Sequence, residues 1–155
     1  MSNDSPTRRE FCVHACQAVS LVSVASVLHG CGGSSTSPSD APPLTTINAS
    51  VVGGTVSLTI DASSPLNAVG GAALVQTSAG SFLVAQTSTG TFTALTAVCT
   101  HEGCIVSGFQ SSQYVCPCHG SKYSTSGAVI QGPASTPLRT FATRFVNGVL
   151  TITVA

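Results

Sequence analysis

The chain has few charged side chains, and neither sign is in surplus. Only 6% of its 155 residues are charged, and five lysines and arginines balance five aspartates and glutamates. Binding to DNA or RNA depends on a positively charged surface that neutralises phosphates. The composition offers no such surface, so we expect no nucleic-acid partner.

Long hydrophobic runs and helical periodicity are also missing. The apolar stretch at residues 13–28 is shorter than the roughly 20 residues that span a membrane, and no sustained helical repeat follows residue 43. Short β-branched or alternating runs recur instead between clusters of glycine, serine, asparagine and proline. They lie at 45–52, 55–61, 72–76, 81–85, 91–98, 114–116, 141–146 and 149–154. This pattern predicts an all-β fold, a small antiparallel β-sandwich or barrel.

The clearest turn is Asn147-Gly148, which separates the last two runs. Both central positions of a tight hairpin turn require positive φ, which asparagine and glycine tolerate. The sequence therefore predicts that the chain ends in a β-hairpin. Residues 44–155 are enough for one domain and too few for two.

The N-terminal segment has the order of an export signal. Arg8-Arg9 precedes the apolar stretch and resembles a twin-arginine signal, and residues 28–31 (Leu-His-Gly-Cys) resemble a bacterial lipobox. We expect residues 1–31 to be an export signal that ends in a lipidated Cys31, with an ordinary cleavage site or a retained anchor as alternatives. Residues 32–43 have the composition of a flexible tether. We therefore expect an exported protein, anchored on the periplasmic side of the cytoplasmic membrane or in another cell-envelope membrane.

Cysteine and histidine are concentrated in two short boxes. The chain has seven cysteines and four histidines, and all of them lie either in residues 1–31 or in the boxes. The boxes are residues 99–104 (Cys-Thr-His-Glu-Gly-Cys) and residues 116–121 (Cys-Pro-Cys-His-Gly-Ser). Thiolate and imidazole bind zinc, iron or an iron–sulfur cluster, so the boxes predict a metal site. The strand pattern places both boxes on loops at one end of the sheets.

The spacing of these residues argues against other uses. Structural zinc favours two cysteines with two to four residues between them. Here a histidine follows the first cysteine by two residues in one box and by three in the other, and each box has an additional cysteine. A scaffold of two disulfides leaves both histidines without a role. Nucleophilic Cys–His catalysis requires a third group that orients the base, and the sequence suggests none.

The boxes resemble the signature of the Rieske [2Fe–2S] proteins, Cys-Thr-His-x-Gly-Cys followed by Cys-Pro-Cys-His-Gly-Ser. The likeness is strong over residues 94–133 and extends more weakly over the folded part. It implies one Rieske-type [2Fe–2S] cluster. By the resemblance Cys99 and Cys116 bind one iron, and His101 and His119 bind the outer iron. Histidine in place of two thiolates raises the reduction potential, to between about −150 and +300 mV.

The resemblance also assigns residues around the cluster. It implies a disulfide between Cys104 and Cys118, typical of the high-potential members and compatible with export. It places Ser121 and Tyr123 where hydroxyls donate to cluster sulfur. It further identifies Gly132-Pro133 with the proline loop that covers the cluster.

For the whole protein, the resemblance implies electron transfer with no independent catalytic site. The expected role is the iron–sulfur subunit of a membrane-associated quinol:cytochrome c oxidoreductase, which works between a cytochrome b subunit and an acceptor such as a c-type cytochrome. Alternatives are the small Rieske subunit of another periplasmic oxidoreductase, similar to arsenite oxidase, and a free-standing electron carrier. A zinc-stabilised binding module is an alternative of another class. Quinol-oxidising members typically have leucine where this chain has Glu102, so Glu102 predicts a different docking face.

Overall fold

The computed structural model describes residues 41–155, and over that range the chain forms twelve β-strands and no helix. The predicted export signal, with Cys31, and most of the predicted tether lie outside the described residues. The strands are β1 (Thr45–Asn48), β2 (Val51–Val52), β3 (Thr55–Thr59), β4 (Ala72–Thr77), β5 (Gly80–Ser88), β6 (Thr91–Thr96), β7 (Gly108–Gln110), β8 (Gln113–Val115), β9 (Lys122–Ser124), β10 (Val129–Gln131), β11 (Thr140–Val146) and β12 (Val149–Thr153). The prediction of an all-β fold is confirmed. Within the described range no helix is long and apolar enough to cross a membrane.

Eight strands form a large sheet, in the order β1-β4-β5-β6-β11-β12-β3-β2. Its two edge strands, β1 and β2, are consecutive in the chain and are joined by Ala49 and Ser50. The sheet therefore curls towards itself as a half-barrel. One pairing departs from the predicted antiparallel arrangement, because β1 runs parallel to β4. The sequence suggested a single strand over 45–52, but the chain turns at Ala49 and Ser50 to reach the opposite edge.

The other four strands form a small sheet, in the order β10-β9-β8-β7. Three of them, β7, β9 and β10, were missed by the sequence analysis, and each is three residues long. The predicted final hairpin is confirmed, since Val146 pairs with Val149 and Asn147 and Gly148 have φ of 50° and 77°.

Alternation along the central strands of the large sheet supplies two separate cores. Leu74 and Leu83 point into one core, and their neighbours Val75 and Phe82 point into the other. The first core also contains Cys99, Val106, Tyr114, Cys116, Tyr123 and Leu138. The large sheet thus packs one of its faces against the part of the molecule that carries both boxes.

The last residues of the predicted tether belong to the folded part. Pro43 forms a β-bridge with Gly108, and the backbone amide of Phe109 donates to the Pro42 carbonyl at 2.9 Å. Proline cannot donate, but its carbonyl accepts, so this proline-rich segment covers the edge of β7. The segment predicted as a tether thus contacts the small sheet through Pro42 and Pro43.

Candidate metal centre

The two boxes fold into loops with the same backbone hydrogen bonds. In the first, the amide of Cys99 donates to the carbonyl of Cys104 at 2.8 Å, and the amide of Gly103 donates to the carbonyl of Cys99 at 2.9 Å. In the second, the amide of Cys116 donates to Ser121 at 2.8 Å, and that of Gly120 donates back to Cys116 at 3.0 Å. Each loop is therefore closed by its own backbone, and the prediction that the boxes are loops is confirmed.

Glycine is required at the fifth position of both loops. Gly103 and Gly120 have φ of 75° and 74°, in the left-handed region that other residues rarely adopt. A Cβ on either glycine would meet no atom within 4 Å, so the requirement is conformational rather than steric. The matching conformations give each loop one cysteine at its start and one histidine near its tip.

Two cysteines remain free within the described range, Cys99 and Cys116, and both are buried. Both lie in the same core cluster. Burial raises the pKa of Cys116. Burial acts the same way on Cys99, but the Tyr123 hydroxyl and the backbone amides of the loop outweigh it and lower the pKa of that thiol. Donors around Cys99 thus favour its thiolate.

The two histidines lie at the exposed tips of the loops. The ring centroids of His101 and His119 are 5.2 Å apart, with the rings nearly perpendicular. Their side chains are 31% and 44% exposed, in contrast to the buried thiols. The loops therefore present two buried sulfur donors and two solvent-facing nitrogen donors at one end of the molecule.

A disulfide joins the loops. Cys104 and Cys118 are bonded to each other in the structure, as the resemblance implied. Cys104 ends the first loop and Cys118 lies in the middle of the second, so the bond holds the loops side by side. The sulfur of Cys116 lies within 4.8 Å of both disulfide sulfurs.

Tyr123 and Thr100 form a hydrogen-bond chain to the first thiol. The Tyr123 hydroxyl lies 3.2 Å from Cys99 Sγ and 3.0 Å from Thr100 Oγ1, and it accepts from the Thr100 amide at 3.2 Å. The Thr100 hydroxyl donates to the Thr136 carbonyl at 2.7 Å, which leaves the phenolic proton to Thr100 Oγ1 or to the sulfur. A thiolate is the stronger acceptor because its hydrogen bond is charge-assisted. The phenol therefore donates to Cys99 when that sulfur is ionised.

Ser121 connects the second loop to the segment after β10. Its side chain is fully buried, and its Oγ accepts from the amide of Ala134 at 3.0 Å. Gly132-Pro133, which the resemblance identified with a covering loop, precedes Ala134 and contains a cis peptide bond. The segment 132–136 thus bonds to both loops, through Ser121 in one and Thr100 in the other. Sequence reasoning missed the roles of Thr100 and Thr136, because a backbone acceptor leaves no signal in the sequence.

Glu102 lies between the two imidazoles. One of its carboxylate oxygens is 3.7 Å from His101 Nε2, and the other is 3.7 Å from His119 Nδ1. The side chain is 61% exposed. A negative charge therefore stands at the solvent-facing tip of the loops.

Comparison with known proteins gives a family match over the region that contains both loops. Residues 58–142, more than half of the chain, match the family model of the Rieske [2Fe–2S] domain. The chain is 48% identical to the cytochrome b6-f complex iron-sulfur subunit of Chlorobaculum thiosulfatiphilum over 56 residues. This aligned region covers 36% of this chain and 31% of that protein. Over 67 residues it is 37% identical to the corresponding subunit of Chlorobaculum tepidum, covering 43% of this chain and 37% of that protein. The chain thus spans about a third of the length of the curated relatives that it matches.

Solved structures share the fold. The crystal structure of the cyanobacterial plasma membrane Rieske protein from Synechocystis PCC 6803 superposes with a TM-score of 0.52 at 30% identity, over 61% of this chain and 97% of that one. The ferredoxin of carbazole 1,9a-dioxygenase from Nocardioides aromaticivorans has a TM-score of 0.51 at 15% identity, over 64% of this chain and 98% of that one. The second likeness concerns the fold alone.

Proposed function

Because the chain belongs to the Rieske [2Fe–2S] domain family, we propose that it transfers single electrons through one Rieske-type cluster held between its two loops. The observation that carries the proposal is the pair of loops that share the same backbone hydrogen bonds. They bring two free thiols of one core cluster and two exposed imidazoles to the same end of the molecule.

The residues present fit this cofactor. A Rieske cluster takes two thiolates on one iron and two imidazoles on the other. Within residues 41–155 the two cysteines outside the disulfide are Cys99 and Cys116, and the two histidines are His101 and His119. We assign the two cysteines to the inner iron and the two histidines to the outer one. A structural zinc site does not require that its thiol ligands be buried while its imidazole ligands are exposed.

The cluster supplies the one-electron redox chemistry, and the residues around it set the potential at which that chemistry occurs. Tyr123 donates a hydrogen bond to the sulfur of Cys99 when that sulfur is ionised. The buried hydroxyl of Ser121 accepts from Ala134, which leaves its own proton available for a sulfur acceptor. Hydrogen bonds of this kind stabilise the reduced, more negative state and raise the potential. The exposed imidazoles form the route by which an electron reaches a partner.

For the whole protein we propose the role of iron–sulfur subunit in a membrane-associated quinol:cytochrome c oxidoreductase. The names of the curated relatives, subunits of cytochrome b6-f complexes, support this assignment. The partners would be a quinol-oxidising cytochrome b subunit as donor and a c-type cytochrome as acceptor.

We also propose that residues 1–31 direct export and that Cys31 carries the membrane anchor, with residues 32–40 as the tether. The sequence order of paired arginines, apolar stretch and cysteine supports this. Fractionation of cells that express the chain should place it with membranes on the periplasmic side. Cys31→Ser should release it into the soluble periplasmic fraction. Retention of that variant in the membrane would argue for an uncleaved signal as anchor.

Metal analysis and EPR of the purified full chain test the cluster. We expect two iron atoms and two acid-labile sulfides per chain, a coloured oxidised form and an EPR signal that appears on reduction. His119→Ala should abolish the signal, whereas the double variant Cys104→Ser/Cys118→Ser should retain it, because the disulfide supplies no ligand. A colourless protein that contains zinc would contradict the proposal.

A further inference from the structure

We infer that Glu102 makes the tips of the two loops a docking surface for a positively charged electron acceptor, such as a c-type cytochrome with lysines around its haem edge. The inference rests on the proposed electron-transfer function and adds the chemistry of the partner.

A partner that covers the imidazoles also covers Glu102. The carboxylate oxygens lie 3.7 Å from one nitrogen of each ring, and the side chain is 61% exposed. An acceptor must approach these rings, since they are the exposed part of the proposed site. The carboxylate therefore enters any interface through which the electron leaves.

Within the described residues, no lysine or arginine neutralises Glu102. Both ion-pair contacts of its carboxylate are to the histidines, and no lysine or arginine nitrogen lies within 4.0 Å of it. The Arg139 guanidinium packs over the Phe141 ring at 4.7 Å instead. A carboxylate that loses water without gaining a cation is strongly destabilising. The partner must then supply the cation.

The redox step strengthens the attraction before transfer and weakens it afterwards. With the cluster bound, one electron would pass from the reduced cluster to a ferric acceptor and reduce it to the ferrous state, with no bond between heavy atoms made or broken. Reduction of the cluster adds one negative charge near Glu102, and its oxidation removes that charge. A basic acceptor is therefore held more tightly by the reduced protein than by the oxidised product.

Asp61 provides a matched control, because it is the other acidic residue in the described range and lies at the far end of the large sheet. The start of β11 pairs with β6 beside the first loop, through Thr140 and Leu95, whereas the end of β11 turns into β12. Ile60 bonds to Gly148 in that turn. Seven residues of β11 thus separate Asp61 from the loops, roughly 20 Å at the usual rise of a strand. Glu102→Gln and Asp61→Asn each remove one negative charge, but the first does so at the loops and the second at the far end of the large sheet.

Stopped-flow oxidation of the reduced full chain tests the inference, with two probes of opposite charge. With a basic cytochrome c at low ionic strength, Glu102→Gln should slow the second-order rate by about 3- to 10-fold. The effect should vanish near 1 M salt, where charges are screened within about 3 Å. With ferricyanide, an anion, the same variant should react faster than the parent. Asp61→Asn should match the parent with both probes.

The midpoint potential of each variant is measured alongside, so that a change in driving force is separated from a change in docking. If Glu102→Gln and Asp61→Asn changed the oxidation rate equally, net charge alone would explain the result and the inference would be overturned. A Glu102→Gln variant that reacts more slowly with both probes would also overturn it. Loss of the cluster signal in the parent protein would instead defeat the proposed function itself. The two failures are therefore distinguishable.

Discussion

The phenolic proton of Tyr123 has two acceptors, Cys99 Sγ and Thr100 Oγ1, and the charge on sulfur decides between them. Tyr123→Phe removes the bond to sulfur and leaves the ring in the core. A hydrogen bond of about 0.5–1.5 kcal/mol that is formed mainly in the reduced state corresponds to roughly 20–65 mV for a one-electron couple. We expect the potential to fall by that amount in a redox titration followed by EPR. An unchanged potential would show that the phenol of Tyr123 donates its proton to Thr100 Oγ1 in both redox states.

Tyr114 offers a control for that substitution. It is paired with Tyr123 across β8 and β9 and is equally buried, but its hydroxyl has no hydrogen-bond partner among the described residues. Tyr114→Phe removes a buried polar group that is not satisfied, so we expect a stability gain of about 1 kcal/mol. The thermal unfolding midpoint should rise by a few degrees, with the potential unchanged. A fall in the potential here would show that changes anywhere in this core affect the cluster.

The sequence was informative for side chains whose chemistry is specific. Cysteine and histidine in fixed spacing located both loops, and the predicted disulfide between Cys104 and Cys118 is present. It was uninformative for Thr100, because threonine is common in loops and its acceptor is the backbone of Thr136. Glu102 could be placed beside His101 from the sequence, but its contact with His119 required the folded arrangement of the loops.

At the scale of elements, the disulfide links two loops that are each closed by their own backbone. The double variant Cys104→Ser/Cys118→Ser leaves those closures intact and removes the covalent link between the loops, while the hydrogen bonds of segment 132–136 to both loops remain. The bond spans 14 residues of sequence, for which loss of the crosslink costs about 3 kcal/mol. We expect a lower thermal unfolding midpoint and a lower reduction potential, measured by calorimetry and by voltammetry. Unchanged values would mean that segment 132–136 alone holds the loops together.

There are physical reasons why some elements could not be predicted from the sequence. Strands β7, β9 and β10 are three residues long, too short to display the alternation that identifies a strand. The parallel pairing of β1 with β4 joins segments far apart in the chain, and local patterns carry no information about it. The hairpin at Asn147-Gly148 was predictable because its turn chemistry is local.

At the scale of the whole molecule, the division into two cores separates stability from cofactor binding. The core inside the curled sheet contains Val56, Phe82, Leu150 and Ile152 but no residue of either loop. The other core contains Cys99 and Cys116. Loss of the cluster should therefore loosen one core and leave the other packed.

Hydrogen exchange on protein stripped of iron by acid and a chelator tests this division. We expect amides in loops 99–104 and 116–121 to lose protection. Amides in β3, β5 and β12 should retain it, because their core is independent of the ligands. Uniform loss of protection across both sheets would show that the cluster stabilises the entire fold.

The contact between Pro43 and Gly108 fixes where the leading segment joins the domain. Gly108 pairs in turn with Val115, the residue before Cys116, so the entry point is two strand spacings, roughly 10 Å, from the second loop. A displacement of the chain at Pro43 is therefore passed through two strand pairings to the residue that precedes Cys116.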